Sequence, residues 1–352
     1  MTIPGDGGLK TLGQLAEFID AVVSGDRSIV ITGTGSIFQG AAPGSITFID
    51  DPSLLASAEK TSAAAIIVPL GIEKSSKALL ISENPKAAFA RISALFAQRP
   101  LCTFDISPLA SIHETASVGI QASIHPYAVI SENVSLGNES IIGPGVFIGK
   151  NSIIGSCCEI HANAVIEDHT IIGNNVIIHG GSVIGADGFG FVTAPGGHIK
   201  MPQLGNVVIE DDVEIFANVT IARGTAGSTV IGSGSKLGDA VHIGHNAVIG
   251  RNCILVAQVV VGGSSKLGSN VTLAGKAGIT DHVSIGNNVT LSACSIALKD
   301  IDDNSFFSGH PAMDHKKDYR IKAAIRRTPE LLKKVADLER KMKVLEERLK
   351  DI

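Results

Sequence analysis

Ile243-Gly-His-Asn-Ala-Val-Ile249-Gly-Arg-Asn-Cys-Ile-Leu255-Val-Ala-Gln-Val-Val-Val261-Gly-Gly-Ser-Ser-Lys-Leu267 carries an aliphatic residue at every sixth position. The same phase extends outward on both sides. It runs unbroken through thirteen hexads from Ile112 to Ile184, resumes at Ile209, Ile215 and Ile221, and continues from Ile231 to Leu291, 27 hexads in all. A six-residue repeat matches neither the helical nor the strand period, but it matches a solenoid of short strands joined by tight turns. Each hexad is then one face, and the aliphatic ladder is the core. A sandwich or barrel of similar composition would not hold one phase so long.

The hexapeptide pattern resembles that of left-handed parallel β-helices, which have three faces and 18 residues per coil. Handedness rests on that resemblance alone, because it runs against the usual right-handed crossover. Nine coils stacked about 4.8 Å apart make a prism roughly 40 Å long.

Composition agrees. The 352 residues include 39 Gly, 12 Phe, two Tyr and no Trp, which suits a narrow aliphatic interior better than an aromatic core. The five cysteines (Cys102, Cys157, Cys158, Cys253, Cys294) lack metal-type spacing and read as reduced thiols of a cytoplasmic protein without a signal peptide. No transmembrane segment, nucleic-acid partner, metal site or cofactor is expected. The net charge of −5 is asymmetric: residues 314 to 352 hold 13 Lys or Arg against 8 Asp or Glu, which is +5 and leaves −10 elsewhere. This basic tail is either an ordinary solvated helix or a docking surface for an acidic partner.

Residues 1–105 lack the six-residue period and form a separate α/β domain. Helical spacing covers Leu9 to Val23, strands are expected at 28–32, 45–49, 64–69 and 77–82, and Asp51-Pro52 and Asn84-Pro85 read as helix starts. Gly33-Thr-Gly35 reads as a turn. The solenoid occupies 106–306 with a loop insertion at 185–206, where Phe189 and Phe191 either fold against something apolar or cap a groove. A ten-residue step from Ile221 to Ile231 marks a second loop. A helical extension, 307–352, carries apolar residues at Leu331, Val335, Leu338, Met342, Leu345 and Leu349, a heptad seam that favours self-association.

Chemistry centres on histidine. His245 and Gly263 share a phase and lie 18 residues apart, so three-faced geometry puts them one coil, about 5 Å, apart. His282, 19 residues further, is adjacent on the following coil. A base and a backbone N–H aimed at one point are the minimum for acyl transfer. No nucleophile suited to a covalent intermediate stands out, so direct attack fits better.

Asp187-Gly-Phe-Gly-Phe191, Lys200-Met-Pro-Gln-Leu-Gly205, Ile243-Gly-His-Asn246, Leu255-Val-Ala-Gln258, Gly262-Gly-Ser264, Ile279-Thr-Asp-His282 and Ser308-Gly-His-Pro-Ala312 together resemble the UDP-3-O-acylglucosamine N-acyltransferases of lipid A biosynthesis. The likeness extends to Ile46-Thr-Phe48, Asn84-Pro85 and Arg326-Arg-Thr-Pro-Glu-Leu-Leu332, nearly the whole chain. It implies a homotrimer with active sites between neighbouring β-helices. The donor would be an acyl chain, 3-hydroxyacyl or other, on the phosphopantetheine of acyl carrier protein, and the acceptor the 2-amino group of a UDP-glucosamine derivative. His245 matches the general base, Gly263 the oxyanion donor and His282 a histidine contacting the nucleotide sugar. Phe48 matches the uracil-stacking position, and the basic helix matches the element that docks the carrier protein. Asp51, Asp239, His242 and Asn246 complete the expected substrate contacts.

Several positions depart from the family pattern: Gly238, Asp239 and His242 stand where Asp, Asn and Gln are usual, Asp51 replaces an Asn, and Leu54 an aromatic. The usual Thr-Ile-Asp-Arg-Gly becomes Thr220-Ile-Ala-Arg-Gly224. These changes bear on the acceptor rather than the reaction, so another nucleotide sugar is an alternative. Two further alternatives are a γ-type carbonic anhydrase with zinc on His242, His245 and His282, and a trimeric scaffold without catalysis. Ile296, near the end of the solenoid, is placed to face the groove that measures acyl length.

Overall fold

The computed structural model describes residues 10–97, 102–309 and 315–350. The chain divides into two compact units, Met1–Pro100 and Leu101–Ile352.

In the first unit, helix α1 (Leu12–Ile19) opens with a capping box: the Gln14 N–H donates to the Thr11 hydroxyl, and the Thr11 N–H donates to the Gln14 side chain. The sequence expectation ran this helix to Val23. It stops at Ile19 because Asp20 turns left-handed (φ 58°), and Val22–Ser24 become an edge strand antiparallel to Ala78–Ile81. Apolar spacing alone could not distinguish the two. The sheet continues through Ala65–Val68, Ser45–Phe48 and Gly33–Thr34, all parallel. Helix α2 (Leu55–Glu59) follows a 3-10 turn, and α3 (Pro85–Phe96) covers the sheet, with Asn84 accepting the Ala87 N–H at its start. Leu12, Leu15, Ile31, Ile46, Leu80 and Ile92 form the main core.

The second unit is a parallel β-solenoid. Short strands, most of two residues, stack into three parallel sheets of 10, 10 and 9 strands, one per face, mostly in steps of 18 residues such as Ile153↔Ile171. The laddered Ile, Leu and Val side chains point inward and are buried. Removing each from water contributes about 1.5–3 kcal/mol. At most corners the third residue after the inward one is left-handed, as at Asn246 (φ 58°), Ser264 (61°) and His282 (59°), and Asn tolerates this conformation better than most residues. The ladder runs past the hexads Ile112 to Leu291 while staying, but for Phe307, within the expected 106–306: Ile106 already bridges Ile124, and Ala297, Ile301 and Phe306–Phe307 extend the far end. The expected nine coils are therefore exceeded.

The insertion leaves after the strand Val183–Ala186, forms an antiparallel hairpin (Phe191–Ala194 with Gly197–Lys200) and returns at Asn206–Ile209. Arg223 anchors its root, donating to the carbonyls of Gly185 (2.7 Å) and Asp168 (3.3 Å). The last helix, α4 (His315–Lys350), contains Pro329, and Leu331, Val335, Leu338, Met342 and Leu345 of its seam are exposed. The Leu349 side chain and the His310-Pro-Ala312 part of the family motif lie outside the described residues.

Candidate active site

His245 follows the strand His242–Ile243 and occupies the corner where the chain turns to the next face. The strand pairs with Val260–Val261, so the register sets His245 opposite Gly263 on the next coil. A Cβ built on Gly263 would lie 2.8 Å from His245 Nε2 and 3.0 Å from Cε1. Only glycine leaves the imidazole its place. From the other side the insertion closes in, because a Cβ on Gly188 would lie 2.8 Å from the His245 Cβ.

The backbone at this corner shares one feature with the neighbouring corners at His245, Ala257 and Asp281. Elsewhere the N–H two residues past the inward position is often capped by an Asp or Asn side chain one coil on, as Lys150 is by Asp168 and Ser269 by Asn287. Among the described residues the Gly263 N–H meets no acceptor. An N–H with no acceptor can donate to an oxygen that reaches it.

The Nδ1 side of the ring is enclosed by the insertion and the Arg223–Gly227 loop. Nδ1 lies 3.2 Å from Asn246 Oδ1 and 3.5 Å from Thr225 Oγ1. Asn246 Oδ1 accepts the Thr225 N–H (2.9 Å), its Nδ2 donates to the Ala226 carbonyl (2.7 Å), and its own N–H donates to Thr229 Oγ1. Thr225 donates its hydroxyl to Gln203 Oε1 (2.9 Å), and Gln203 Nε2 donates to the Met201 carbonyl (3.0 Å). Asn246, an expected substrate contact, is thus engaged in holding the loop beside the histidine. Thr225 was not singled out from the sequence. Its only signal was a place inside the ten-residue step, while Gln203 stood unremarked within a family motif.

Other expected residues fall in different places. His282 is exposed and donates its N–H to the Gly263 carbonyl (3.0 Å), in the corner column of Asn246 and Ser264 rather than that of His245. His242 stands on the flat of the face between Thr220 and Val260, not at a corner. Its side chain reaches solvent, yet the protein crowding its ring withholds enough water to hold its pKa below the usual imidazole value. Asp239 lies at the preceding corner, where its carboxylate accepts the Ala217 N–H (3.1 Å) and serves the corner ladder. In the same turn, a Cβ on Gly238 would lie 2.8 Å from the Ala257 nitrogen, so the Asp usual in the family would not fit this backbone as it stands. Ile296 is 63 % exposed and lines up with Gly278, which leaves a notch in the outer surface.

The N-terminal unit has its own cavity, about 300 Å³, lined by Thr34, Gly35, Ser36, Phe48, Leu54 and Phe89 among others. Phe48 and Phe89 pack with ring centroids 4.7 Å apart. Thr34 and Gly35, read from sequence as part of a turn, are cavity wall. Asp50 lines the cavity and Asp51 does not. The Asp51 carboxylate instead caps the 3-10 turn Pro52–Leu54 by accepting the Ser53 N–H (2.8 Å), a bond that lowers its pKa.

Among the described residues no three His, Cys, Asp or Glu side chains converge as metal ligands, and no helix is long and apolar enough to cross a membrane.

Comparison with known proteins supplies the context. Residues 28–95 match the family model for UDP-3-O-(3-hydroxymyristoyl) glucosamine N-acyltransferase, LpxD, and residues 115–150, 151–186 and 228–263 match the bacterial transferase hexapeptide model. The UDP-3-O-acylglucosamine N-acyltransferase of Syntrophotalea carbinolica is 52 % identical over 344 residues, covering 97 % of this chain and all of its own. That of Geobacter sp. strain M21 is 48 % identical over 340 residues, 97 % of this chain and 98 % of its own. Among solved structures, the Arabidopsis UDP-N-acetylglucosamine acyltransferase superimposes with a TM-score of 0.53 at 24 % identity, over 58 % of this chain and 71 % of that one, and shares the solenoid fold. With near-complete coverage at about half identity, this chain belongs to the UDP-3-O-acylglucosamine N-acyltransferase family.

Proposed function

We propose that the protein transfers an acyl chain from the phosphopantetheine thioester of acyl carrier protein to the 2-amino group of UDP-3-O-acylglucosamine, a step of lipid A biosynthesis in the cytoplasm. The observation that carries the reading is His245 Nε2 set over the Cα of Gly263, beside an N–H without an acceptor. The acceptor nitrogen attacks the thioester carbonyl while Nε2 takes one of its protons. The carbonyl oxygen becomes an oxyanion that the Gly263 N–H stabilises. The C–S bond then breaks, and the imidazolium returns its proton to the departing sulfur. No covalent enzyme intermediate is needed. His282, exposed on the next coil, is assigned to the nucleotide sugar, together with His242.

Outward apolar residues such as Ile153, Val260 and Ile296 on the solenoid, with Phe189 on the insertion, are exposed in the single chain and support assembly into a homotrimer. The Phe48 cavity is assigned to the uracil ring. The basic helix α4 is assigned to the acidic carrier protein.

The test is transfer from acyl-loaded carrier protein to UDP-3-O-acylglucosamine, followed by product mass. The wild type is expected to turn over and His245→Ala to lose roughly 10²–10⁴-fold in kcat. Absence of product with every acyl length, or full activity in the variant, overturns the assignment.

A further inference from the structure

Gln203 is 6 % exposed, and it does not touch the imidazole of His245 through any hydrogen bond. A buried amide is costly to leave unsatisfied, so both of its ends have defined partners. The Met201 carbonyl can only accept, which directs Gln203 Nε2 toward it and turns Oε1 toward Thr225. Oε1 can also only accept, so the single Thr225 hydroxyl proton points at Gln203. What Thr225 then offers to His245 Nδ1 is a lone pair. The second neighbour of Nδ1, Asn246 Oδ1, is likewise an acceptor, because Asn246 Nδ2 is committed to the Ala226 carbonyl.

We propose that Gln203 and Thr225 are positioning residues that, with Asn246, place the proton of neutral His245 on Nδ1 and leave the Nε2 lone pair facing Gly263. Among the described residues two acceptors face Nδ1 and no donor does, so the Nδ1–H tautomer is the one the surroundings satisfy. A base at Nε2 requires that tautomer. Gln203 acts at one remove, by denying Thr225 the option of donating to the ring. This inference rests on the reading of His245 as the base, but the tautomer itself can be observed without turnover.

The order of effects is therefore unusual. In Gln203→Leu, Thr225 loses its acceptor, and its hydroxyl becomes free to donate to Nδ1, which selects the Nε2–H tautomer. In Thr225→Val no donor exists, and Asn246 still selects the productive form. The variant further from the histidine is the worse one, and adding the nearer substitution partly repairs it.

The experiment uses the full-length protein with ¹⁵N-labelled histidine, whose ring nitrogen shifts report which nitrogen carries the proton, together with kcat and KM for the acyl transfer. Wild type and Thr225→Val are expected to show His245 protonated on Nδ1, and Gln203→Leu to move toward Nε2–H. Gln203→Leu is expected to lose about 10- to 100-fold in kcat with KM little changed, within the range a general base supplies. The double variant Gln203→Leu/Thr225→Val is expected to recover activity over the single, and Gln203→Glu, which keeps the acceptor, to retain more than Gln203→Leu. A wild-type ring protonated on Nε2, or a double variant no better than Gln203→Leu, overturns the proposal. A tautomer as stated in a protein that does not acylate UDP-3-O-acylglucosamine upholds the positioning chain and refutes the substrate instead.

Discussion

The imidazole of His245 occupies the space that a side chain on Gly263 would need: a methyl group there would come within 2.8 Å of Nε2. Gly262, its neighbour, is glycine for a different reason, since a Cβ there would collide with the backbone nitrogen of Asp281 on the next coil. The two glycines separate chemistry from folding. Gly263→Ala is expected to fold, because its obstacle is a side chain that can swing aside, and to lose roughly 10²-fold or more in kcat as the ring is displaced. Gly262→Ala is expected to be destabilised by about 1–3 kcal/mol, because backbone must move. Thermal unfolding beside kinetics checks both, and a Gly263→Ala protein with normal kcat contradicts the site.

The thiols offer a test of the interior. Burial pushes the Cys158 pKa up to about 11 and raises that of Cys253, whereas Cys157 and Cys294 are exposed. A native protein at pH 8 is expected to alkylate at Cys157 and Cys294 and to spare Cys158 and Cys253, as peptide mass mapping will show. The sign for stability follows. Folding favours the neutral thiols, so their contribution is intact below the unfolded cysteine value near 8.5 and declines as pH rises from there toward 11. Rapid modification of Cys158 in the folded state would contradict a closed solenoid.

Removing residues 314–352 is expected to weaken binding of acyl carrier protein while leaving the assembly state unchanged, because the heptads are few and the solenoid faces extensive. In the full-length protein that binding should fall with rising salt, as exposed charge pairs do. Titration at several ionic strengths and light scattering on the truncated protein check the two halves. Monomers after truncation would transfer the assembly role to the helix.

In the N-terminal unit, Phe48→Ala is expected to raise KM for the nucleotide sugar with kcat nearly unchanged. Asp51→Ala is expected to lower the melting temperature of that unit and to leave KM alone, since its carboxylate caps a turn. The reverse pattern would return Asp51 to the binding site.

Much of this was legible in the sequence. The inward Ile, Leu and Val ladder declared itself because a solenoid stacks the same position at a fixed interval, and the His245–Gly263 register followed from that interval. Side chains that act locally were harder to place. Asp51 belongs both to a helix-start signal and to a family substrate position, and the structure shows its carboxylate capping the turn. Asp239 likewise turned out to serve the corner ladder. Val22 satisfied helical spacing but sits beyond a left-handed Asp20. Gln203 and Thr225 lie in segments that break the period, so no interval could bring them to His245.

Adjacent coils ordinarily pair residues 18 apart, but across the insertion the step is 37, and Ile172 still meets Ile209 in register. Nineteen residues have thus been accommodated at one corner with no change in what the ladder packs. A repeat of this kind tolerates additions outside its period, because each coil needs only its inward positions and its pairing. Diversification of activity on such a scaffold can therefore proceed by grafting at corners, with the architecture inherited intact and each new graft free to carry its own chemistry.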